Sequence, residues 1–296
     1  MKESRRTNKA FRHVCNLISL LTIILADRTA AAVFTDDFSG GLNGSYWQID
    51  QNQPLYSVST AQGGVTISKP LTSSTAYQYA KLTPKLTASG DFDVQVDFTN
   101  ALLTTAGGGV GNQTELACYF GGRTYYVVRS CESGNQIVYA WINSVSPPGG
   151  TFGMQGWEAT SGTMRIARTN FVISFWIDST LLYQQNCDRS AATFAMFLIN
   201  NGTKDATSVT FDAFRLAATS ITFPPLLLSA QPVSSNLTLF SWPSYPAGYL
   251  LETTSNLSTQ TSWQTVTDNI VSANGRCFLT NTSSEPAAFY RLRQGP

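Results

Sequence analysis

Apolar and polar residues alternate along much of the chain, and this pattern predicts β-strands. In Asp91–Phe98 (DFDVQVDF) every second residue is apolar, which is the period of a strand with one buried face. Further strands are predicted at Thr163–Arg168, Phe171–Asp178, Leu181–Gln185, Thr193–Ile199 and Val209–Leu216. Val145–Gly156 is rich in Pro and Gly and predicts a long surface loop. No segment between Val33 and Leu216 has the length and period of a helix, so the pattern predicts an all-β fold.

The segment Thr114–Asn143 predicts three strands joined by two tight turns. Gly121-Gly122 forms the first predicted turn and Glu132-Ser-Gly-Asn135 the second. These turns fix the register. Leu116 then faces Val127, and Cys118 faces Tyr125. In the second hairpin Cys131 faces Gln136, Arg129 faces Val138 and Val127 faces Ala140.

This register divides the three strands into two faces. The face predicted to join the core carries Leu116, Cys118, Phe120, Val127, Val138, Ala140 and Ile142. The opposite face carries Glu115, Tyr119, Tyr126, Val128, Tyr139, Trp141 and Asn143. Aromatic rings stack on the apolar faces of sugars, and Asn or Glu can bond their hydroxyls. Glu115, Tyr119, Tyr126, Tyr139, Trp141 and Asn143 are therefore the candidate ligand-binding residues. The alternative is that the face is covered and Trp141 belongs to a core.

The same register argues against a disulfide between Cys118 and Cys131. Cys131 lies six residues beyond Tyr125, the partner of Cys118, or about 20 Å along the strand. A disulfide needs Cα atoms within about 7 Å. Cys187 could pair with either residue, and Cys277 lies in a later segment.

The chain is expected to contain two modules. The first spans 33–218, and 219–227, which contains Pro224-Pro225, predicts a linker. Residues 228–296 carry their own alternating segments and predict a small β-sandwich of the fibronectin III kind. Strands are predicted there at Leu237–Ser241, Tyr249–Thr253, Trp263–Thr267, Cys277–Thr280 and Phe289–Arg293. Trp242 and Trp263 could anchor its core.

Residues 1–32 have the features of a secretion signal. Five basic residues precede the apolar run Leu17–Ala26, which is too short to span a membrane, and Ala30–Ala32 offers a small-residue cleavage site. An N-terminal anchor is the alternative. The sequence predicts export to the extracellular space or cell surface, with the periplasm also possible, and no membrane insertion after cleavage.

Removal of the signal changes the charge and the available chemistry. It takes six of the 19 basic and two of the 18 acidic residues, which leaves 13 and 16 and a net charge of −3. Such a chain is not expected to bind nucleic acid. It also removes His13, the only histidine, so Ser-His-Asp and Cys-His catalysis and the common His-ligated zinc sites are excluded.

Three segments resemble concanavalin A-like lectin/glucanase jelly rolls, a fold shared with laminin G-like domains. The run TMRIARTNFVISFWIDSTLLYQQ is similar to their hairpins, FTDDFSGGLNGSYW to their opening strand and SVTFDAFRL to their closing strand. The resemblance covers Val33–Ala218. It implies a sandwich that binds or cleaves glycans, in which the first and last strands pair.

The C-terminal segment resembles a module common in secreted proteins of verrucomicrobial and planctomycete-type bacteria. Its recurring features correspond here to Leu239–Pro243, Gly248–Leu257, Trp263–Val266 and Phe289–Leu292. This resemblance does not imply a biochemical role.

The jelly-roll resemblance also raises two site hypotheses. Laminarinase-like members carry E-x-D-x-x-E on one strand, a motif this sequence lacks, although Asp91, Asp93 and Asp97 share a strand face. Those members also hold a structural calcium at the positions of Asp37 and Asp212, so the resemblance implies a Ca²⁺ site here.

Together these observations predict a secreted, non-enzymatic monomer that binds carbohydrate or a surface polymer. A glycoside hydrolase or polysaccharide lyase with a carboxylate or tyrosine site is one alternative. A structural cell-surface or matrix protein is the other.

Overall fold

A computed structural model describes residues 31–294, apart from 54, 61–62, 73–75, 105–109, 144–148, 203, 235–236, 245–248, 258–261, 268, 274–275 and 283–287. Nearly all of the predicted signal peptide lies outside the described residues. None of the described residues belongs to a helix long and apolar enough to cross a membrane. The strands below are numbered in chain order.

The first sheet, sheet 1, has eight antiparallel strands. They are β1 (Ala32–Asp36), β3 (Ser57–Ser59), β4 (Val65–Lys69), β6 (Thr87–Leu102), β11 (Gly162–Thr169), β12 (Val172–Ile177), β13 (Thr180–Asn186) and β15 (Thr207–Thr222). The order is β13-β12-β11-β6-β15-β4-β3, and β1 also pairs with β15. The first and last strands of the module therefore pair, as expected, with Phe34 opposite Leu216.

The second sheet, sheet 2, has seven antiparallel strands. They are β2 (Trp47–Gln51), β5 (Tyr77–Pro84), β7 (Val110–Phe120), β8 (Arg123–Glu132), β9 (Asn135–Asn143), β10 (Gly150–Gly156) and β14 (Thr193–Asn201). The order is β10-β9-β8-β7-β14-β5-β2. Strand β7 lies in the middle of this sheet.

The apolar faces of sheets 1 and 2 form one core. Sheet 1 contributes the alternating side chains of β6, among them Val94 and Phe98, and sheet 2 contributes Leu116, Val127 and Ala140. All five are fully buried. The predicted core face of Thr114–Asn143 is confirmed, and the molecule is the predicted all-β sandwich.

The predicted register of Thr114–Asn143 is also confirmed. Cys118 lies opposite Tyr125, and Val127 lies opposite Ala140. Gly121 and Gly122 both have positive φ, at 60° and 69°. This is the backbone of a type I′ turn, whose twist matches that of the flanking strands. The two glycines thus set the pairing of every residue in the first hairpin.

Three strands of sheet 2, β2, β5 and β10, were not predicted. Strand β2 is short, and Trp47 is its one fully buried residue. Strand β5 faces the core with Gln78 and Ala80, which give a weak apolar signal, and Gln78 is buried against the Asn200 amide. Strand β10 falls within the predicted loop Val145–Gly156. It is a glycine-rich edge strand, and its pairing with β9 shifts register between Phe152 and Gln155. Bulged edge strands lack the alternation that sequence patterns detect.

Strand β15 is longer than the predicted closing strand. It continues to Thr222, so the first residues of the predicted linker 219–227 are paired, with Ile221 opposite Ala88. The remaining linker residues, including Pro224-Pro225, lie outside strands.

The C-terminal segment forms two small sheets. Sheet 3 contains β16 (Ser229–Ser234), β17 (Leu237–Pro243), β21 (Arg276–Thr282) and β20 (Ile270–Ala273), in the order β16-β17-β21-β20. Sheet 4 contains β19 (Gln264–Thr265), β18 (Tyr249–Thr254) and β22 (Phe289–Gln294), with β18 in the middle. The small C-terminal sandwich is thus present, although β16 and β20 were not predicted.

This sandwich has its own small core of Phe240, Trp242, Leu251 and Leu279. Trp242 is buried as predicted. Trp263 instead lies under the guanidinium of Arg291, 4.2 Å from the ring centroid. Contacts between Cα atoms join Ala32–Pro296 into one compact unit. Within this unit Arg276 of the small sandwich donates a hydrogen bond to Ser45 Oγ of the first module, at 3.1 Å. The division at 219–227 remains a prediction.

A fully buried arginine, Arg168 on β11, holds the loop after β13 against the core. Its guanidinium lies 4.7 Å from the ring centroids of Phe92 and Phe120. It donates to the carbonyl oxygens of Gly90 and Ser190. Several charge-assisted hydrogen bonds and two aromatic faces offset the cost of burying the charge.

Candidate functional site

The six predicted ligand-binding residues lie on the outer face of sheet 2, the face opposite the main core. Strand alternation places Glu115 and Tyr119 on β7, Tyr126 on β8, and Tyr139, Trp141 and Asn143 on β9. Tyr126 lies directly opposite Trp141. The exposure of the six differs strongly, because the side chains also pack against one another.

Trp141 and Tyr126 form a stacked aromatic pair. Their ring centroids are 4.8 Å apart with an interplanar angle of 22°, and both are partly buried. Asn143, at the end of β9, is exposed. Tyr139 is buried, and its hydroxyl accepts a hydrogen bond from Gln113 Nε2 at 2.9 Å. The aromatic face predicted from the sequence is thus partly open, at Trp141, Tyr126 and Asn143.

Glu115 lies at the middle of the face and is almost completely buried, with 2% of its surface exposed. In the sheet it faces Val128 on one side and Phe197 on the other. Burial raises the pKa of its carboxyl from 4.5 to about 8, and no described residue supplies a hydrogen bond or a cation that offsets this shift. At neutral pH the carboxyl carries its proton, so it can donate a hydrogen bond.

The surroundings of Glu115 are tyrosines. Its carboxyl is close enough to raise the pKa of the Tyr77, Tyr119, Tyr126 and Tyr139 phenols, although burial is the main cause for each. For Tyr126 the raised pKa is about 12. These phenols keep their protons at neutral pH and are therefore hydrogen-bond donors as well as ring surfaces.

The part of this face formed by β5 and β14 was not predicted from the sequence. Phe197 and Ile199 of β14 form an apolar patch with Ala117, and Tyr79 packs against it. Tyr77, next along β5, is 54% exposed. The alternation of Tyr77, Tyr79 and Lys81 is visible in YQYAKLTP, but nothing in the sequence places β5 two strands away from Glu115.

Other carboxylates on the outer face of sheet 2 lie far from Glu115. Asp50 of β2 lies three strands away, or about 14 Å between Cα atoms, and it pairs with Lys81 at 3.0 Å. Glu132 lies four residues beyond Val128, the partner of Glu115, which is also about 14 Å. Among the described strands, Glu115 is the one carboxyl at the centre of this face.

The aspartates on β6, proposed as an alternative catalytic set, lie on the outer face of sheet 1 and have other partners. Asp93 accepts two hydrogen bonds from Arg165, at 2.8 and 2.6 Å. Asp97 accepts one from Thr163 Oγ1 at 2.5 Å. Hydrogen bonds of this kind are typical of a solvated structural face.

The two residues of the predicted calcium site do not line the same pocket. Asp37 lines an open pocket of about 410 Å³ beside Asp36 and Arg215, and Asp212 is not in its lining. Asp37 accepts from Ser39 Oγ at 2.7 Å. Among the described residues there is no group of three or more acidic, His or Cys side chains that could hold a metal. An adjacent arginine and so few carboxylates fit Ca²⁺ poorly, and calcium binding remains a prediction.

The four described cysteines, Cys118, Cys131, Cys187 and Cys277, are all free thiols in the structure. Cys131 lies opposite Gln136 at the far end of β8 from Tyr125, the partner of Cys118. The prediction that Cys118 and Cys131 are not bonded to each other is therefore confirmed.

The two packed antiparallel sheets define a concanavalin A-like jelly-roll fold, which is followed by a small C-terminal β-sandwich. Residues 25–240 match the family described as "Protein of unknown function (DUF1583) C domain". This match spans more than half of the chain, and the chain belongs to that family.

Solved structures share the fold at low sequence identity. SCLam, described as a non-specific endo-β-1,3(4)-glucanase from family GH16, aligns with a TM-score of 0.50 and 11% identity over 65% of this chain and 92% of its own. LamAcat from Zobellia galactanivorans gives 0.46 and 11% over 65% and 99%. The CBM2 module of the evolved Dit of Lactobacillus casei BL23 phage J-1 gives 0.48 and 9% over 65% and 99%. A search of curated proteins found no match.

Proposed function

We propose that this chain is an exported, non-catalytic protein that binds carbohydrate through the outer face of sheet 2. The observation that carries the proposal is a buried carboxyl, Glu115, at the centre of a face that carries tyrosine rings and the stacked pair of Trp141 and Tyr126. Sugars offer apolar ring faces and hydroxyl groups on the same molecule. A surface that combines aromatic rings with neutral donors is complementary to both.

Each part of the face has a distinct contribution. The stacked pair of Trp141 and Tyr126 presents partly exposed ring surface for a pyranose. Asn143 is exposed beside it and can donate to and accept from sugar hydroxyls. Glu115 lies deeper, at the centre of the face, and is almost completely buried. Burial raises its pKa, so at neutral pH it adds no negative charge to the face.

Binding is favoured over the two catalytic alternatives by the same geometry. Glycoside hydrolysis commonly uses two carboxyl groups about 5–10 Å apart, whereas the described face offers Glu115 alone near its centre. A lyase that uses tyrosine as a base needs a phenol that loses its proton readily. Here burial raises the pKa of Tyr119, Tyr126 and Tyr139 instead.

A purely structural role is the remaining alternative. The partial exposure of Trp141 and Tyr126, together with exposed Asn143 and Tyr77, favours a binding surface over a covered one. Because SCLam, which shares the fold, is described as acting on β-1,3(4)-glucan, such a glucan is a reasonable first probe, together with other neutral polysaccharides.

The test is a glycan array followed by affinity electrophoresis of the wild type, Trp141→Ala and Trp176→Ala. Trp176 is the matched control, because it is a partly buried tryptophan on the outer face of sheet 1, where Arg165 lies 4.6 Å from its ring centroid. We expect Trp141→Ala to weaken binding about tenfold or more and Trp176→Ala to bind like the wild type. Equal retention of Trp141→Ala and wild type on every glycan bound would overturn the proposal, and so would the absence of any glycan that the wild type binds.

A further inference from the structure

Two tyrosines of β5 continue the aromatic surface beyond Glu115, on the side away from Trp141. The rings of Tyr77 and Tyr79 have centroids 6.1 Å apart. Tyr79 also makes an edge contact with Phe197, at 6.2 Å and 65°, and Phe197 is the direct cross-strand neighbour of Glu115. Tyr77 is 54% exposed. The rings of Phe197, Tyr79 and Tyr77 therefore form a continuous row from Glu115 to the exposed side chain of Tyr77.

The surface from Trp141 to Tyr79 is longer than a single sugar. Trp141 lies on β9 and Tyr79 on β5, which are four strand spacings apart in the order of sheet 2, or about 19 Å. Cross-strand pairing through Tyr126 aligns Trp141 with Ala117 of β7. Pairing through Ile199 aligns Tyr79 with Gln113 of β7. The separation of Ala117 and Gln113 along β7 adds about 13 Å in the strand direction. The two ends are thus about 23 Å apart, with Glu115 between them.

The charges of this surface select against acidic ligands. Lys81 is the one lysine or arginine among the outward-facing side chains of the described strands of sheet 2, and its ammonium pairs with Asp50 at 3.0 Å. Recognition of uronates or sulfates normally uses arginine or lysine that is free to pair with them. A neutral polymer needs no such partner.

We infer that Tyr77 and Tyr79 form a second contact region, and that the ligand is an extended, uncharged polysaccharide chain crossing sheet 2 from Trp141 past Glu115 to Tyr77. This inference rests on the proposed function and adds to it two binding residues and the class of ligand. The affinity should depend on the length of the saccharide, because a short oligosaccharide can occupy one end of the surface only, whereas a long polysaccharide contacts both ends.

The experiment compares four proteins on two lengths of ligand. The proteins are the wild type, Trp141→Ala, the double variant Tyr77→Ala/Tyr79→Ala, and Tyr249→Ala, a partly buried tyrosine of β18 that serves as the control. Binding of a neutral polysaccharide identified on the array and of its trisaccharide is measured by titration calorimetry. Alginate and dextran sulfate serve as acidic probes. Circular dichroism and thermal melting confirm that each variant is folded.

We expect the double variant to bind the long chain about tenfold more weakly than the wild type and to bind the trisaccharide with little change. Trp141→Ala should weaken the binding of both ligands, Tyr249→Ala should weaken the binding of neither, and the acidic polymers should not bind.

If the double variant binds the long chain like the wild type while Trp141→Ala binds it more weakly, the second contact region is wrong and the proposed function stands. Binding of alginate or dextran sulfate as tight as that of the neutral chain would overturn the ligand class. Full binding by Trp141→Ala would overturn the proposed function itself.

Discussion

Replacement of Glu115 by Gln should stabilise the protein increasingly as the pH rises. Burial raises the pKa of this carboxyl from 4.5 to about 8. The unfolded chain therefore releases its proton at a lower pH than the folded one. A group of this kind contributes stability that is fully present below about pH 4.5 and is lost as the pH rises through about 8.

The magnitude follows from the two pKa values. Relative to a side chain that does not titrate, proton release by Glu115 in the unfolded chain lowers the free energy of unfolding by about 3 kcal/mol at pH 7. At about pH 9 it lowers the free energy of unfolding by about 5 kcal/mol. Between about pH 5 and pH 9 the wild type should thus lose about 4 kcal/mol relative to Glu115→Gln. Because the carboxyl is fully buried, solvent screening does not reduce this figure.

The assay is urea unfolding of both proteins at several pH values, with the free energy of unfolding plotted against pH. The difference between the curves removes the contributions of groups common to both. Glu158→Gln, at an exposed position, is the control for the exchange of Glu for Gln elsewhere in the chain. Parallel curves for wild type and Glu115→Gln would refute the assignment of a raised pKa to Glu115.

Three further changes test other parts of the structure. Arg168→Met should destabilise the protein by about 3 kcal/mol in urea unfolding, because the carbonyl oxygens of Gly90 and Ser190 lose their buried donor; a change below 1 kcal/mol would contradict this role. Gly153→Ala should cost about 2 kcal/mol or more, since φ is +60° and a Cβ would lie 2.0 Å from the Leu182 carbonyl oxygen; an unchanged melting temperature would contradict it. If the implied calcium site exists, the melting temperature should rise with calcium over chelator, and identical values would dismiss it.

The register of the central strands could be predicted because short-range chemistry determines it. Gly121-Gly122 favours a two-residue turn, and that turn fixes every pair from Phe120–Arg123 outward. The outer position of Glu115 followed directly. Strands without such signals were missed. In β16 every residue is exposed, so no alternation of apolar and polar residues marks it.

The state of Glu115 could not be predicted, because it depends on residues distant in sequence. Its burial comes from Phe197, 82 positions later, and from tyrosines on several strands that meet only in the sheet. Tyr77 and Tyr79 were missed for the same reason. The order β7-β14-β5 is a property of the whole sandwich topology, and no local pattern encodes it.

The most direct test of the binding face is hydroxyl-radical footprinting of the purified protein with and without a saturating neutral polysaccharide. Oxidation of each aromatic side chain is read by mass spectrometry. The proposed function predicts that the ligand protects Trp141 and that oxidation of Trp176, on the outer face of sheet 1, is unchanged. If Tyr77 and Tyr79 form a second contact region, the ligand also protects Tyr77. Protection of Trp176 with none at Trp141 would contradict the assignment of carbohydrate binding to the outer face of sheet 2.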